Sequence, residues 1–489
     1  MRFRLRYLIQ LLSLVIIDIF AYYTTLVLAH FFDINFIFLF NFKHIFGTNL
    51  KPFLFSLNYM LSVKWIPLLL IVTLQIHKLY QMRYPFWEET KHLIRAVAIA
   101  VGLALLVVTI RNMYVEISRT FFIWQCGFLL FILPFLRFYG KKLLFNIDIW
   151  KEKVLIIGSG EKSVLTIKGL ENEKHLGYEV AGLLDYDLKK KHKFIEVCNK
   201  RYKIHRPPRS LNKFLNIMKI DTVFIAIDNS TPEELSKIVN EVYQLVRRVI
   251  IVPDIKGIAI FNSELHYLFM ERLFMIKVNN NLNSLTNRVI KRSFDMVVSI
   301  AAFIILIPFF LLIGALIKIS SPGPIFFSHK RVGRNGKEIT IYKFRTMYVD
   351  AQERLKKILE TDPQAKKEWE EKFKIKNDPR VTSVGKFLRR TSIDELPQII
   401  NVIKGNMSLV GPRPVLKEEI ENYYKEFRHY YYSVYPGMTG LWQISGRSDT
   451  DYNFRVQTDV WYVQNWSLWL DIMILFRTVG VVLRREGAY

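Results

Sequence analysis

Four long apolar runs crowd the first third of this 489-residue chain, near residues 7–31, 53–76, 93–110 and 120–139. Each is about long enough to cross a hydrocarbon layer of ~30 Å at ~1.5 Å of rise per residue. A cleaved secretory signal would be shorter and would end at a small-residue site, so the first run reads as a retained helix. Cations are dense before the first run (Arg2, Arg4, Arg6), between the second and third (Lys78, Arg83, Lys91, Arg95) and after the fourth (Arg137, Lys141, Lys142). They are sparser in the other two loops (Lys43 and Lys51; Arg111 and Arg119). Positive loops stay in the cytoplasm, which puts the N-terminus and everything after about residue 140 there. The formal charge of +26 asks for an anionic partner such as headgroups, phosphorylated substrates or nucleic acid. Cys126 and Cys198 are far apart, which excludes a disulfide scaffold or a cysteine metal ribbon and suits a reducing compartment.

From 146 to 280 the pattern changes to strands alternating with helices. Val154–Ile157, Tyr178–Leu184, Thr222–Ile227 and Arg248–Val252 read as strands, with a helix over 232–246. This is the signature of a parallel, Rossmann-like sheet. Gly158-Ser159-Gly160 sits where a phosphate would approach a helix N-terminus, but Ser163 occupies the usual third glycine position. A nucleotide-binding-like fold used for packing, regulation or subunit contacts explains the segment as well as a bound nucleotide does.

A fifth apolar run, Met296–Ile319, has Pro308 at its centre and cations on both flanks: Lys291 and Arg292 before, Lys318, Lys330 and Arg331 after. Proline removes a helical hydrogen bond and kinks the helix, and basic flanks hold both ends on one side. The expectation is a re-entrant helix–kink–helix over 291–319. An ordinary fifth crossing is the alternative.

The chemistry lies further on. Ile325–Val332 and Glu338–Arg345 flank Gly333-Arg334-Asn335-Gly336, a hairpin whose period-two alternation puts Lys343 and Arg345 on one face. Asn377-Asp378-Pro379-Arg380 follows, and then Leu388-Arg389-Arg390-Thr391-Ser392-Ile393-Asp394-Glu395-Leu396-Pro397-Gln398. A helix starting after Asp394 makes that residue the N-cap and places Pro397 at the third helical position, where no intrahelical donor is needed. A carboxylate there stays ionised. Adjacent carboxylates can hold Mg²⁺ beside substrate phosphates, and arginine forks match phosphate oxygens. Such a group is equipped for phosphoryl transfer. Gly411-Pro412-Arg413-Pro414 and the run Pro436–Arg447, which contains Gln443, are stiffened, glycine-containing basic loops. Tyr423, Tyr424, Phe427, Tyr430–Tyr432 and Tyr435 interleave with Lys425, Arg428 and His429, and Trp461, Trp466 and Trp469 follow. They suit a bilayer interface better than nucleic acid, given the apolar helices upstream.

Together these motifs resemble the bacterial polyprenyl-phosphate sugar-phosphate transferases, the monotopic phosphoglycosyl transferases. The resemblance extends to Pro85-Phe86-Trp87 and to the Gly487-Ala488-Tyr489 end. It implies a membrane protein of three parts: a four-helix transmembrane domain (1–145), a Rossmann-like cytosolic domain (146–280) and an α+β catalytic domain on the re-entrant helix (281–489). It implies that Asp394 attacks a UDP-hexose, that UMP leaves, and that undecaprenyl phosphate collects the sugar phosphate. Galactose is the expected sugar, with glucose or another hexose as the alternative. Glu395 would hold Mg²⁺ beside Asp394, and Arg389 would meet phosphate near the nucleophile. Arg331, Lys343, Arg345, Arg380, Arg390, Pro412, Arg413, Pro414, Gln443 and Arg447 would bind substrate. The enzyme would sit in the bacterial inner membrane with its catalytic domain in the cytoplasm, contact membrane lipid, form a homodimer as one arrangement, and start an O-antigen, exopolysaccharide or capsule repeat. The family often has Ser-Pro at the kink; here Ile307-Pro308 lacks that hydroxyl.

Overall fold

The computed structural model describes residues 2–40, 63–110, 119–186, 193–254, 263–268, 273–361, 364, 375, 378–445 and 451–484. It forms two compact units, 1–255 and 256–489.

In the first unit, α1 (Arg2–Phe40), α2 (Trp65–Ile76), α3 (Phe86–Ile110) and α4 (Arg119–Asn146) bundle around Leu14, Ala21, Leu74, Leu93, Ala96 and Leu133. Three contain stretches long and apolar enough to cross a membrane: Arg6–Asp33, Phe86–Ile110 and Phe121–Asn146. The second expected run is seen from Trp65 onward, and its first part, 53–62, lies outside the described residues. Phe86-Trp87 opens α3 rather than lying in a loop.

The loop-charge reading needs a correction. Arg137 and Lys141 are not loop cations but lie inside α4, fully buried. Arg137 grips Asp18 through Nε and Nη2 at 2.6 and 2.7 Å and reaches Glu89 at 3.0 Å. Lys141 donates to Glu89 at 2.6 Å, and the Tyr80 hydroxyl donates to Asp18 at 2.6 Å. Two cations and two anions cancel, as burial among apolar helices requires.

Six strands follow: β1 (Glu152–Ile157), β2 (Tyr178–Leu184), β3 (Phe194–Val197), β4 (Lys200–His205), β5 (Thr222–Ile225) and β6 (Arg248–Ile251). Their order is β3-β4-β2-β1-β5-β6, parallel except for the β3–β4 hairpin. One face packs on α5 (Glu161–Asn172) through Ile167 and Leu170. The other packs on α6 (Leu211–Met218) and α7 (Pro232–Tyr243) through Leu211, Leu215 and Val242. This doubly wound sheet is the expected Rossmann-like layer. A short hairpin, β7 (Glu264–Leu268) with β8 (Leu273–Lys277), begins the second unit.

The fifth apolar run is one helix, α8 (Leu285–Ser320), with Pro308 inside it. Proline leaves the Ile304 carbonyl without its helical donor. Burial falls at the two ends: Lys291, Asp295 and Ser299 at a spacing of four, then Ile313, Gly314 and Ile317. Between them Ile304, Ile305, Leu311 and Leu312 are exposed. At the first end Lys291 pairs with Asp471 at 2.7 Å and donates to the Val410 carbonyl at 3.1 Å. Asp295 accepts from the Ser408 hydroxyl at 2.7 Å. At the other end Ile313 and Ile317 pack with Phe344 and Leu388. Both ends therefore make buried contacts with the same unit, and the apolar middle around Ile304, Ile305, Leu311 and Leu312 is exposed.

That unit contains the hairpin β9 (Phe326–Val332) and β10 (Glu338–Phe344), with Asn335 and Gly336 at positive φ in its turn. After α9 (Ala351–Thr361) come α10 (Ser383–Arg390), α11 (Gln398–Lys404), β11 (Ser408–Val410), β12 (Gly437–Thr439), α12 (Tyr452–Gln464) and α13 (Leu468–Arg484). Gly487-Ala488-Tyr489 lies outside the described residues.

Part of the aromatic stripe is core, which the sequence reading as a bilayer interface does not anticipate. Tyr424, Tyr431 and Trp466 are buried core. Their polar tips are satisfied inside: Tyr424 donates to Asp459 at 2.6 Å, Tyr431 to the Val332 carbonyl at 2.8 Å, and Trp466 to Asp471 at 3.0 Å. Tyr423, Phe427 and Trp461 remain exposed.

Candidate active site

The site is built where α10 ends. Thr382 caps that helix by accepting from the Gly385 amide at 2.9 Å. At Gly385 any side chain would collide with the Thr346 backbone, so glycine lets α10 lie directly on the chain leaving β10. That approach puts the Arg389 Nε on the Thr346 hydroxyl at 2.9 Å. Ser392 then takes a left-handed conformation (φ 57°) and starts a single 3₁₀ turn, Ile393–Glu395. Asp394 lies in this turn, whereas the sequence predicts it as the N-cap of the next helix. Pro397 takes that place, and α11 begins at Gln398. A fixed proline φ suits the residue that opens a helix, and the preceding turn uses up the carboxylates.

Around this turn the cations converge. Lys343 donates to Glu395 Oε1 at 2.6 Å, and Arg413 Nη2 approaches the same oxygen at 3.5 Å. Glu395, Lys343, Arg331, Ile341, Gln398, Arg413, Pro414, Met438 and Gln443 line one concave pocket. Arg413 is set there by its neighbours. The Gly411 amide donates to Thr439 at 2.9 Å and the Gly437 amide to Pro412 at 2.8 Å, so the two glycine-containing loops brace each other through β11 and β12.

Burial, and then the charge of Glu395, push the Asp394 carboxyl up to about 6, against the pull of Lys343 and Arg389. Burial lowers the Arg389 guanidinium, opposed by Asp394 and Asp378, and burial likewise lowers Arg331. Both remain cations at neutral pH because an arginine starts so high. The arrangement is a carboxylate whose basicity is raised, set among guanidinium and ammonium groups, a combination suited to nucleophilic attack on a phosphate.

Of the residues picked from sequence, Arg331, Lys343, Glu395, Arg413, Pro414 and Gln443 share the pocket, and Asp394 and Arg389 adjoin it electrostatically. Others lie elsewhere. Arg345 turns away to the end of α8, donating to the Pro322 and Ser321 carbonyls at 2.6 and 2.7 Å. Arg380 is spent on Asp378, with contacts from 2.6 to 3.0 Å. Arg390 is exposed on α10, and Pro412 is buried behind its loop. Arg447 lies outside the described residues. Sequence reading passes over Gln398, Ile341 and Met438 as pocket walls. The strand alternation that selects Lys343 also selects Ile341. Among the described residues, no three His, Cys, Asp or Glu side chains gather as a metal cluster.

The middle sheet presents a contrasting loop. Gly158 has φ 116° and Gly160 lies against the Asp228 carboxylate. Asp228 accepts from the Lys162 amide at the start of α5 at 3.2 Å, and Ser159 hydrogen-bonds Asp185. Lys162 itself reaches the Ile227 carbonyl at 3.0 Å and Asp254 at 3.3 Å.

Comparison with known proteins finds the family profile described as bacterial sugar transferase over residues 286–485, and one described as a CoA-binding domain over 78–253. The chain is 40% identical over 411 residues, 84% of each chain, to the undecaprenyl-phosphate galactose phosphotransferase of Salmonella typhimurium. It is 38% identical, over 84% of each chain, to the UDP-galactose-lipid carrier transferase of Erwinia amylovora. It is 36% identical to the UDP-glucose:undecaprenyl-phosphate glucose-1-phosphate transferase of Escherichia coli, over 55% of this chain and 56% of that one.

Proposed function

The chain belongs to the bacterial sugar transferase family and is an enzyme of its phosphoglycosyl transferase class, and from that membership we propose that Asp394 carries hexose 1-phosphate from a UDP-hexose to undecaprenyl phosphate. Galactose is the sugar we assign, because the relative matched at 40% identity over 84% of both chains bears that name. The observation that carries the reading is the raised Asp394 carboxyl set among Arg389, Lys343 and Glu395, beside a pocket with Arg331 and Arg413.

In the first half-reaction an Asp394 carboxylate oxygen attacks the β-phosphorus. The bond from that phosphorus to the bridging oxygen breaks, and UMP leaves with the electron pair. The sugar phosphate stays on the aspartate as an acyl phosphate. In the second, an oxygen of the lipid phosphate attacks the same phosphorus and the carboxylate departs, giving undecaprenyl-diphosphate-hexose. Positioning and charge neutralisation dominate such transfers. Arg331, Lys343 and Arg413 are placed to neutralise the diphosphate, and Arg389 stands beside the nucleophile.

Two carboxylates adjacent in sequence, that of Asp394 raised by burial and then by Glu395, offer the hard oxygen donors that suit magnesium. Glu395 would hold the ion, with Asp394 beside it, and the ion would supply further neutralisation of the diphosphate.

We place the catalytic unit on the cytoplasmic side of the inner membrane. The supporting observation is that one unit holds both ends of α8, so a dip into one leaflet brings a lipid phosphate to the pocket where a soluble nucleotide arrives.

The test is to incubate the enzyme with labelled UDP-galactose and magnesium without lipid and map the label. A phosphohexose on the Asp394 peptide is the expected result. UMP release with no enzyme-bound sugar would overturn the mechanism. Competition between UDP-galactose and UDP-glucose decides the sugar.

A further inference from the structure

Asn401 does not line the pocket, yet it is wholly buried on the helix that follows the turn holding Asp394. Its side-chain amide meets the outer edge of β10 twice: the Tyr342 amide donates to Oδ1 at 3.0 Å, and Nδ2 donates to the Thr340 carbonyl at 2.6 Å. A strand edge offers the C=O of one residue and the N–H of the residue two further on. A primary amide, with one acceptor and one donor face, matches that pair as a neighbouring peptide would. Asn401 therefore acts as a one-residue third strand on the hairpin. Its own helix is fixed from behind, because Arg292 of α8 donates to the Val402 and Ile403 carbonyls at 2.8 and 3.3 Å.

The consequence lies one residue along. Lys343 follows Tyr342 and reaches Glu395, which precedes Asn401 on the same short segment. Two cross-links thus tie β10 to residues 395–401, one through Asn401 and one through the Lys343–Glu395 pair. Only slips of two residues keep the buried face of a strand buried. Such a slip moves Lys343 by roughly 6–7 Å, out of reach of Glu395.

We propose that Asn401 is a positioning residue for the transfer: it sets the register of β10 against the catalytic turn, and through Lys343 it places positive charge at Asp394 and Glu395. This deepens, and rests on, the reading of Asp394 as the carrier.

The experiment is single-turnover loading of labelled UDP-galactose without lipid, on wild type, Asn401→Ala, Lys343→Met and the double variant. Asn401→Ala is expected to load at least tenfold more slowly, with the final fraction of loaded enzyme unchanged. The double variant is expected to load within twofold of Lys343→Met alone, because both changes remove the same placed charge. A smaller loaded fraction at the wild-type rate, or effects that multiply, would show a merely structural role and overturn the proposal. A wild type that never loads would instead sink the carrier reading.

Hydrogen exchange on wild type keeps the question open to refutation even if Asn401→Ala does not fold. The Tyr342 amide is expected to be protected like the β10 amides paired with β9. Exchange at the rate of an open strand edge overturns the proposal.

Discussion

The two α/β regions treat a phosphate-sized space in opposite ways. In the middle sheet, the loop after β1 has the glycines that let an anion approach a helix, but the protein fills that approach itself. Asp228 accepts from the Lys162 amide at the start of α5, and Asp185 engages Ser159. In the catalytic unit the imbalance is reversed: Arg331, Lys343, Arg389 and Arg413 surround two carboxylates, one of which is raised by burial. A self-satisfied loop repels a diphosphate; a cation-rich pocket calls for one. On the proposed reading, α/β structure serves packing in one place and chemistry in the other.

The contrast breaks most sharply at Asp394. Asp394→Asn keeps shape and removes the proposed nucleophile. UMP release is expected to fall by on the order of 10⁴-fold, with no sugar adduct and an unchanged melting temperature. Turnover at the normal rate in that variant would put the chemistry elsewhere. Next comes Lys343→Met, which leaves Glu395 with the more distant Arg413 and withdraws charge from Asp394. A loss of about 10²–10³-fold in kcat is expected, read in the same UMP assay. Unimpaired turnover would mean the lysine is only a surface partner of Glu395.

A pH profile sharpens the same side. As the proposed nucleophile Asp394 must be ionised to attack, and its carboxyl is pushed up to about 6 by burial and Glu395. The rate of loading should therefore rise with pH through about 6 and then level off. Arg389→Lys keeps a charge but loses the fork that reaches Thr346. A profile flat down to pH 4.5 would mean that the carboxylate is ionised throughout and its neighbours do not hold it up.

Much of this is legible in the chain. Asn335-Gly336 announces the hairpin, the apolar runs of β1, β2, β5 and β6 announce the sheet, and the Arg389–Gln398 run announces the acidic turn beside the pocket. What is not legible depends on partners far away in sequence. Arg345 reads with Lys343 because alternation puts them on one face, but Ser321 and Pro322 claim it. Arg137 and Lys141 look like flanking loop cations, but Asp18 and Glu89, 119 and 52 residues before Arg137 and Lys141 respectively, pair with them inside the bundle. Asn401 looks like any helix residue, and only the facing edge of β10 gives it a task. Periodicity reports which face a side chain takes, not what waits there.

The smallest effect is expected on the other side of the comparison. Asp228→Asn keeps an oxygen for the Lys162 amide and removes only the charge. It should cost about 1 kcal/mol or less of stability and leave UMP release within twofold of wild type. Millimolar coenzyme A or NAD should not raise the melting temperature of the wild-type enzyme, because a pyrophosphate at the start of α5 would meet the Asp228 carboxylate. A nucleotide tight enough to be present at a hundred times its Kd would stabilise by about 2.7 kcal/mol, a shift of several degrees that is easily seen. If that shift appears and vanishes in Asp228→Asn, the carboxylate recognises a ligand rather than excluding one. The middle domain would then be a second binding site, and the two regions would differ in what they bind instead of in whether they bind.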